Sequence, residues 1–221
     1  MFFDWGTPFR HFDDLLRGAG TTLWITVLTF IISSIAGTFL ALARLNREHK
    51  VLYFLSSVYV ELIRNTPVLV QIFFIYFGLP QFGILLPPLT AGLIALSINN
   101  SAYIAEIMRS GIKSTHKGQW EAASSLGLTS FRIFRLVILP QALRNIFPAL
   151  TNQFIMILFG TSLLSILDVR ELTQRASILN SETFRTMEIF IVVTMMYYVI
   201  SIFSSIVLKW INRRFFPSTS K

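Results

Sequence analysis

Glu61 and Arg64 are the residues best placed to do chemistry in an otherwise apolar stretch. They stand three apart, which puts both side chains on one face of a helix. A charge at membrane depth costs at least about 2.5–3.5 kcal/mol on insertion scales, so such residues mark function by default. A carboxylate beside a guanidinium could complement a zwitterionic amino acid. The same two groups could instead form a self-satisfied ion pair that locks the helix to a neighbour. Pro67 is expected to kink that helix and free carbonyls toward a cavity, with Thr66 beside it. Asn99, Tyr103 and Glu106 share a second helical face, with Asn100 adjacent. They read either as a pathway lining or as interhelical hydrogen bonding worth about 0.6 kcal/mol per contact. Asn152, Met156 and Gly160 form a weaker stripe, where Gly160 is expected to permit close helix packing. Thr161 and Ser162 join the candidate pathway, although both can bond their own backbone.

The elements that carry these residues are membrane spans. Hydrophobic residues make up 53% of the chain, mean hydropathy is +0.63, and charged residues are 14%, against about a quarter in soluble domains. Five apolar segments suit a bilayer core: about 20–43, 51–79, 89–108, 145–167 and 188–211. The fold expected is therefore an all-α integral membrane protein with about five transmembrane helices. If the connection after the first span is cytoplasmic, that side holds Arg44, Arg47, Lys50, Arg109, Lys113, Lys117, Arg132, Arg135, Arg144, Lys209, Arg213, Arg214 and Lys221. The other side holds only Arg10, Arg17, Arg170, Arg175 and Arg185. The asymmetry favours an outside N-terminus and a cytoplasmic C-terminus. It also assigns the +8 net charge to membrane topology, and no nucleic acid is expected.

The domain reading follows. Residues 1–19 form an outer interfacial segment with Phe9, Phe12 and Leu16 on one stripe. Residues 20–215 form one transmembrane domain with a cytoplasmic loop at 113–142, and 216–221 a cytoplasmic tail. No cleavable signal peptide is expected in the acidic, aromatic N-terminus. Trp24 and Trp210 suit interfacial anchors. Cysteine is absent, and His11, His49 and His116 lie outside the apolar runs, so no metal site is expected. The outer segment 168–187 is polar and suits a helix.

The loop has its own pattern. Trp120–Leu126 holds good helix formers. Gly127 suits a helix C-terminus that needs positive φ, and Thr129 an N-cap. Phe131, Phe134 and Ile138 give the second short helix an apolar stripe, and Pro140 is expected to end it. On this pattern alone the loop could be an amphipathic connector lying on the membrane surface.

Gly118, Glu121-Ala122-Ala123, Gly127 and Ile138-Leu139-Pro140 together resemble the EAA loop of bacterial ABC importer permeases. Glu61-Leu62-Ile63-Arg64-Asn65-Thr66-Pro67 with Gln71 is similar to the "R-G-T-P-x-x-x-Q" stretch of the polar amino acid (His/Glu/Gln/Arg/opine) branch, with Asn65 where Gly is common. Ala102-Tyr103-Ile104-Ala105-Glu106-Ile107, Arg109, Gly111 and Thr161-Ser162-Leu163 with Glu171-Leu172 extend the likeness over about residues 18–215. Phe159-Gly160 departs from it, standing where a polar pair such as Lys-Asp is usual.

The resemblance implies a type I ABC importer permease in the bacterial cytoplasmic (inner) membrane, coupled to its motor through the loop around Glu121. The sequence contains no G-x-x-x-x-G-K-[ST] loop, so this chain is expected to be a transporter subunit and not an enzyme. No cofactor is expected on it, with ATP and Mg belonging to a partner. The partners implied are two copies of an ABC ATPase, a second permease subunit (identical or paralogous), an extracytoplasmic solute-binding protein and a polar amino acid substrate. Alternatives are the same fold carrying another small solute, or a stand-alone secondary transporter, which usually shows internal repeats; none is visible.

Overall fold

The computed structural model describes residues 5–46, 48–114 and 117–215. His116, the side chain of Lys117 and the tail 216–221 lie outside the described residues. The chain is helical. α1 (Gly6–Arg10) is followed by α2 (Phe12–Leu45), α3 (Lys50–Arg64) and α4 (Val68–Phe73). α4 continues through a π-turn at Phe74–Gly78 and a 3₁₀ turn at Leu79–Phe82. α5 (Pro88–Lys113), α6 (Lys117–Ser125) and α7 (Ser130–Ile133) come next. α8 (Leu139–Gly160), α9 (Leu172–Thr183) and α10 (Thr186–Phe215) complete the chain. α2 runs without a break through residue 19, so residues 12–19 continue into the first apolar segment as one helix.

Among the described residues three helical stretches are long and apolar enough to cross a membrane: Phe12–Leu45, Ser130–Leu167 and Thr186–Arg214. A fourth is the pair Lys50–Arg64 and Val68–Phe82, bent by 106°. The expected third span does not pass this apolarity test. α5 is long enough at 26 residues, but Ser97, Asn99, Asn100 and Ser101 are all at most 7% exposed. α5 turns its polar groups onto neighbouring helices, where they meet protein rather than hydrocarbon. It is the central helix, packed by α2, α3, α4 and α8.

Small residues allow that packing. Thr22, Thr26, Thr29, Ser33, Gly37 and Ala41 repeat along the buried face of α2, the pattern that lets helix backbones approach closely in membranes. A Cβ on Gly37 would fall 2.8 Å from Ile104 Cγ2 and 2.9 Å from the Ser101 carbonyl. Ser33 Oγ donates to the Ser97 carbonyl at 3.2 Å. Tyr59 Oη on α3 donates to the Ile98 carbonyl at 3.0 Å and meets Ser101 Oγ at 2.8 Å.

At the far end of α2, the carboxylate of Glu171 is fully buried and caps α9, accepting from Thr173 N and Gln174 N at 3.0 and 2.8 Å. It also accepts from Tyr197 Oη of α10 at 2.9 Å and Thr22 Oγ1 of α2 at 3.4 Å. One side chain thus joins three helices. Burial pushes the Glu171 carboxyl above its usual range, against the opposing pull of these donors.

Candidate functional site

The bend at Pro67 shapes the site. Pro67 is extended (ψ 134°) between α3 and α4, as a residue without an N–H and with a fixed φ permits. The carbonyls at the end of α3 are not left open to a cavity, as the sequence suggested. Asn65 Nδ2 donates to the Glu61 carbonyl at 2.7 Å. Thr66 Oγ1 donates to those of Leu62 and Ile63 at 2.9 and 3.3 Å. Gln71 Nε2 reaches back to the Ile63 carbonyl at 2.9 Å and Thr66 Oγ1 at 2.8 Å. Gln71 Oε1 accepts from Asn99 Nδ2 at 3.1 Å, which ties the bend to α5.

Beside this bend lies a cavity of about 620 Å³ lined by Arg64, Asn65, Thr66, Pro67, Val68, Leu96, Asn99, Asn100, Tyr103, Gln153, Met156, Phe159, Gly160 and Leu163. That size falls within the ordinary range for small-molecule sites. Asn100 Oδ1 accepts from Gln153 Nε2 at 2.6 Å, bridging α5 and α8. Among the described residues that line it, Arg64 is the one ionised group; its guanidinium lies over the Tyr103 ring, 5.5 Å from the centroid.

Six of the candidate pathway residues meet here: Arg64, Thr66, Asn99, Asn100, Tyr103 and Met156. Five do not line the cavity. Glu61 is exposed and forms no ion pair with Arg64 among the described residues; Arg64 turns toward α5 instead, so the self-satisfied pair is corrected. Asn152 is exposed, because the inward phase of α8 runs through Gln153, Met156 and Gly160. Gln153 is the polar residue the sequence reading missed, although its three-residue spacing from Met156 held the signal. Thr161 and Ser162 donate to the carbonyls of Leu158 and Phe159, both at 2.7 Å, at the start of a 3₁₀ turn. Gly160 is not needed for close packing: a Cβ there would sit 3.9 Å from Leu96.

Glu106 forms a separate cluster. Its Oε2 accepts from Arg44 Nη1 at 2.7 Å and from Arg109 Nε at 3.1 Å. Its Oε1 pairs with Arg109 Nη2, and Arg64 Nη1 stands 4.0 Å from Oε2. One carboxylate therefore joins α2 and α5, with the end of α3 at the edge of contact.

The second region is the loop. α6 ends in a Schellman motif: Gly127 takes φ +72°, its N–H bonds the Ser124 carbonyl at 2.9 Å, and Leu128 N bonds that of Ala123 at 3.3 Å. Ala123 is 5% exposed and packs with Ile133 and Ile138. Gly118, Gln119, Trp120, Glu121 and Ala122 are exposed. Thr129 occupies the N-cap of α7 in extended backbone, without a side-chain capping bond. The expected stripe holds at Phe134 and Ile138, which join this core, and is corrected at Phe131. Phe131 is 69% exposed and the buried pair is Ile133 and Ile138, five apart, because Phe134–Ile138 is a π-turn. Pro140 is corrected too. It does not end the element but stands in the first turn of α8, where a missing N–H is tolerated.

Residues 18–217 match the family of binding-protein-dependent transport system inner membrane components. The chain belongs to that family. Relatives of the chain include the glutamine transport system permease protein GlnP of Escherichia coli, 38% identical over 216 residues, covering 97% of this chain and 98% of that one. The probable amino-acid ABC transporter permease protein YckA of Bacillus subtilis is 39% identical over 191 residues, covering 86% and 84%. The crystal structure of an amino acid ABC transporter with histidines matches at a TM-score of 0.91 and 41% identity, covering 97% of this chain and 100% of that one. The inward-facing MetNI methionine ABC transporter, 20% identical with a TM-score of 0.67, covers 88% and 94% and shares the fold. The cavity and the loop of this membrane component both lie inside the family match.

Proposed function

We propose that this chain is the membrane-spanning subunit of an ATP-driven importer, lining the pathway for a polar amino acid and coupled to a separate ATPase through α6. The observation that carries the substrate class is the cavity at the Pro67 bend, with one guanidinium among amide and hydroxyl groups. A guanidinium takes up a carboxylate bidentately. Asn65, Asn99, Asn100 and Gln153 offer both donors and acceptors to a polar side chain. Named glutamine and amino-acid permeases among the relatives support this class.

α6 is the coupling element in this reading. Ala123 anchors the helix to the π-turn, while Trp120, Glu121 and Ala122 face outward for an ATPase partner. Gly118, Gly127 and Pro140 set the geometry of the loop that presents them. The complex would hold two ATPase copies carrying ATP and Mg, a second permease subunit, and a solute-binding protein seated over α9 and its flanks. The chain would be multi-pass in the bacterial inner membrane, with its N-terminus outside and α6 in the cytoplasm, as the charge distribution favours. Closure of the ATPases would then move α6 and switch access to the cavity as a rigid-body transition. The test is ATP-dependent amino acid uptake by the reconstituted complex carrying Glu121→Lys. Loss of uptake with normal membrane insertion is expected, and uptake at the wild-type rate would sink the reading.

A further inference from the structure

Glu106 is surrounded by more positive charge than it can neutralise. Three guanidiniums face one carboxylate, and they do so unequally. Arg44 and Arg109 take Oε2 at 2.7 and 3.1 Å, while Arg64 stands off at 4.0 Å. Arg109 is also held at Oε1. Arg64 meanwhile lines the cavity, its side chain 40% exposed against 13% for Arg44 and 23% for Arg109. The guanidinium that faces the cavity is thus the one with the weakest hold on the carboxylate.

We propose that Arg44 is a positioning residue for substrate recognition: by occupying Glu106 Oε2 it keeps Arg64 free to bind an anionic group in the cavity. Arg44 and Arg64 compete for the same oxygen. With Arg44 in place, the lone pairs of Oε2 are already met by Arg44 and Arg109, and Arg64 is left with a screened contact at the edge of ion-pair range. Without Arg44, Oε2 recovers capacity less than one side-chain adjustment from Arg64. The Arg64–Glu106 pair would then close, and the cavity would lose its one ionised group. Among the described residues the cavity lining contains no carboxylate, so Arg64 sets the charge it offers a ligand. The ligand chemistry is therefore a carboxylate, as on the α-carbon of an amino acid. This inference rests on the cavity's being the substrate site proposed above.

The test is equilibrium binding to the full-length chain in its assembled complex in lipid nanodiscs. The probe is whichever of L-glutamine, L-glutamate, L-histidine and L-arginine the wild type binds most tightly, beside its α-carboxamide, which lacks the carboxylate. Arg44→Gln is expected to weaken the amino acid roughly tenfold or more, the scale of a hydrogen bond to a charged group, and to leave the carboxamide unchanged. Glu106→Gln is expected to bind at least as tightly as wild type, because nothing then competes for Arg64. The double variant Arg44→Gln/Glu106→Gln is expected to recover wild-type affinity. A purely structural cluster gives a different pattern, with both single variants and the double all weaker. That pattern, or equal weakening of the carboxamide, would overturn the competition. Arg64→Met separates the two levels. Unchanged amino acid binding in Arg64→Met contradicts the cavity as the substrate site. Lost binding in Arg64→Met without the opposite responses of Arg44→Gln and Glu106→Gln overturns only the competition.

Discussion

The cavity at the Pro67 bend and the loop around α6 are built on opposite principles. The loop is local. Its Schellman bonds span five residues or fewer, and its small core is Ala123 against Ile133 and Ile138. The cavity is held together by contacts between residues far apart in the chain: Gln71 meets Asn99, and Asn100 meets Gln153. An element that is moved as a unit benefits from being held together by its own bonds. A site that must open and close is better shared among helices that shift against one another. In the proposed function the difference corresponds to transmission by the loop and selection by the cavity.

Substitutions can break this contrast in graded steps. Gly37→Leu should have the largest effect, because a side chain there meets Ile104 and the Ser101 carbonyl of α5. Overpacking of this kind costs about 1–3 kcal/mol or more. The expected outcome is a lowered melting temperature of the complex and lost amino acid binding, with the loop's protease resistance unchanged. Gln71→Leu leaves the Ile63 carbonyl and Asn99 without a shared partner; an unmet buried polar group costs about 1–3 kcal/mol. It should weaken amino acid binding while leaving basal ATP hydrolysis intact. Gly127→Ala forces a Cβ into φ +72°, at about 1 kcal/mol. Faster proteolysis of the loop is expected, with no change in amino acid binding.

The smallest effect concerns Glu171, which ties α9 to α2 and α10 as the cavity bonds tie its own helices. Its folded pKa is raised by burial. The fold therefore favours its protonated form, and the stability this contributes is present in acid and lost as pH rises through the folded pKa. Melting temperature should fall from acid toward neutral pH in the wild type. In Glu171→Gln that part of the slope should be missing.

The same contrast decides what could be read from the sequence. Gly127 was legible because capping acts over a few residues, and the helix that holds Ala123 because helix propensity is local. The bend at Pro67 was legible for the same reason. The polar faces of α5 were legible as faces, since Asn99 and Tyr103 stand one turn apart. Their partners were not. Nothing within a few positions of Glu61 says that Arg64 will turn to Tyr103 and Glu106 instead. Gln153 was missed in favour of Asn152 because α8 has apolar residues on nearly every side, and a one-residue phase error changes which amide faces inward. The π-turn before Pro140 escaped notice because it replaces the 3.6-residue period on which a stripe is read.

The most direct test of the division between transmission and selection is made on Glu121→Lys in the reconstituted complex, with amino acid binding and ATP-driven uptake measured on the same preparation. Wild-type binding with uptake lost is the expected result. Uptake at the wild-type rate, or loss of binding together with uptake, would contradict it.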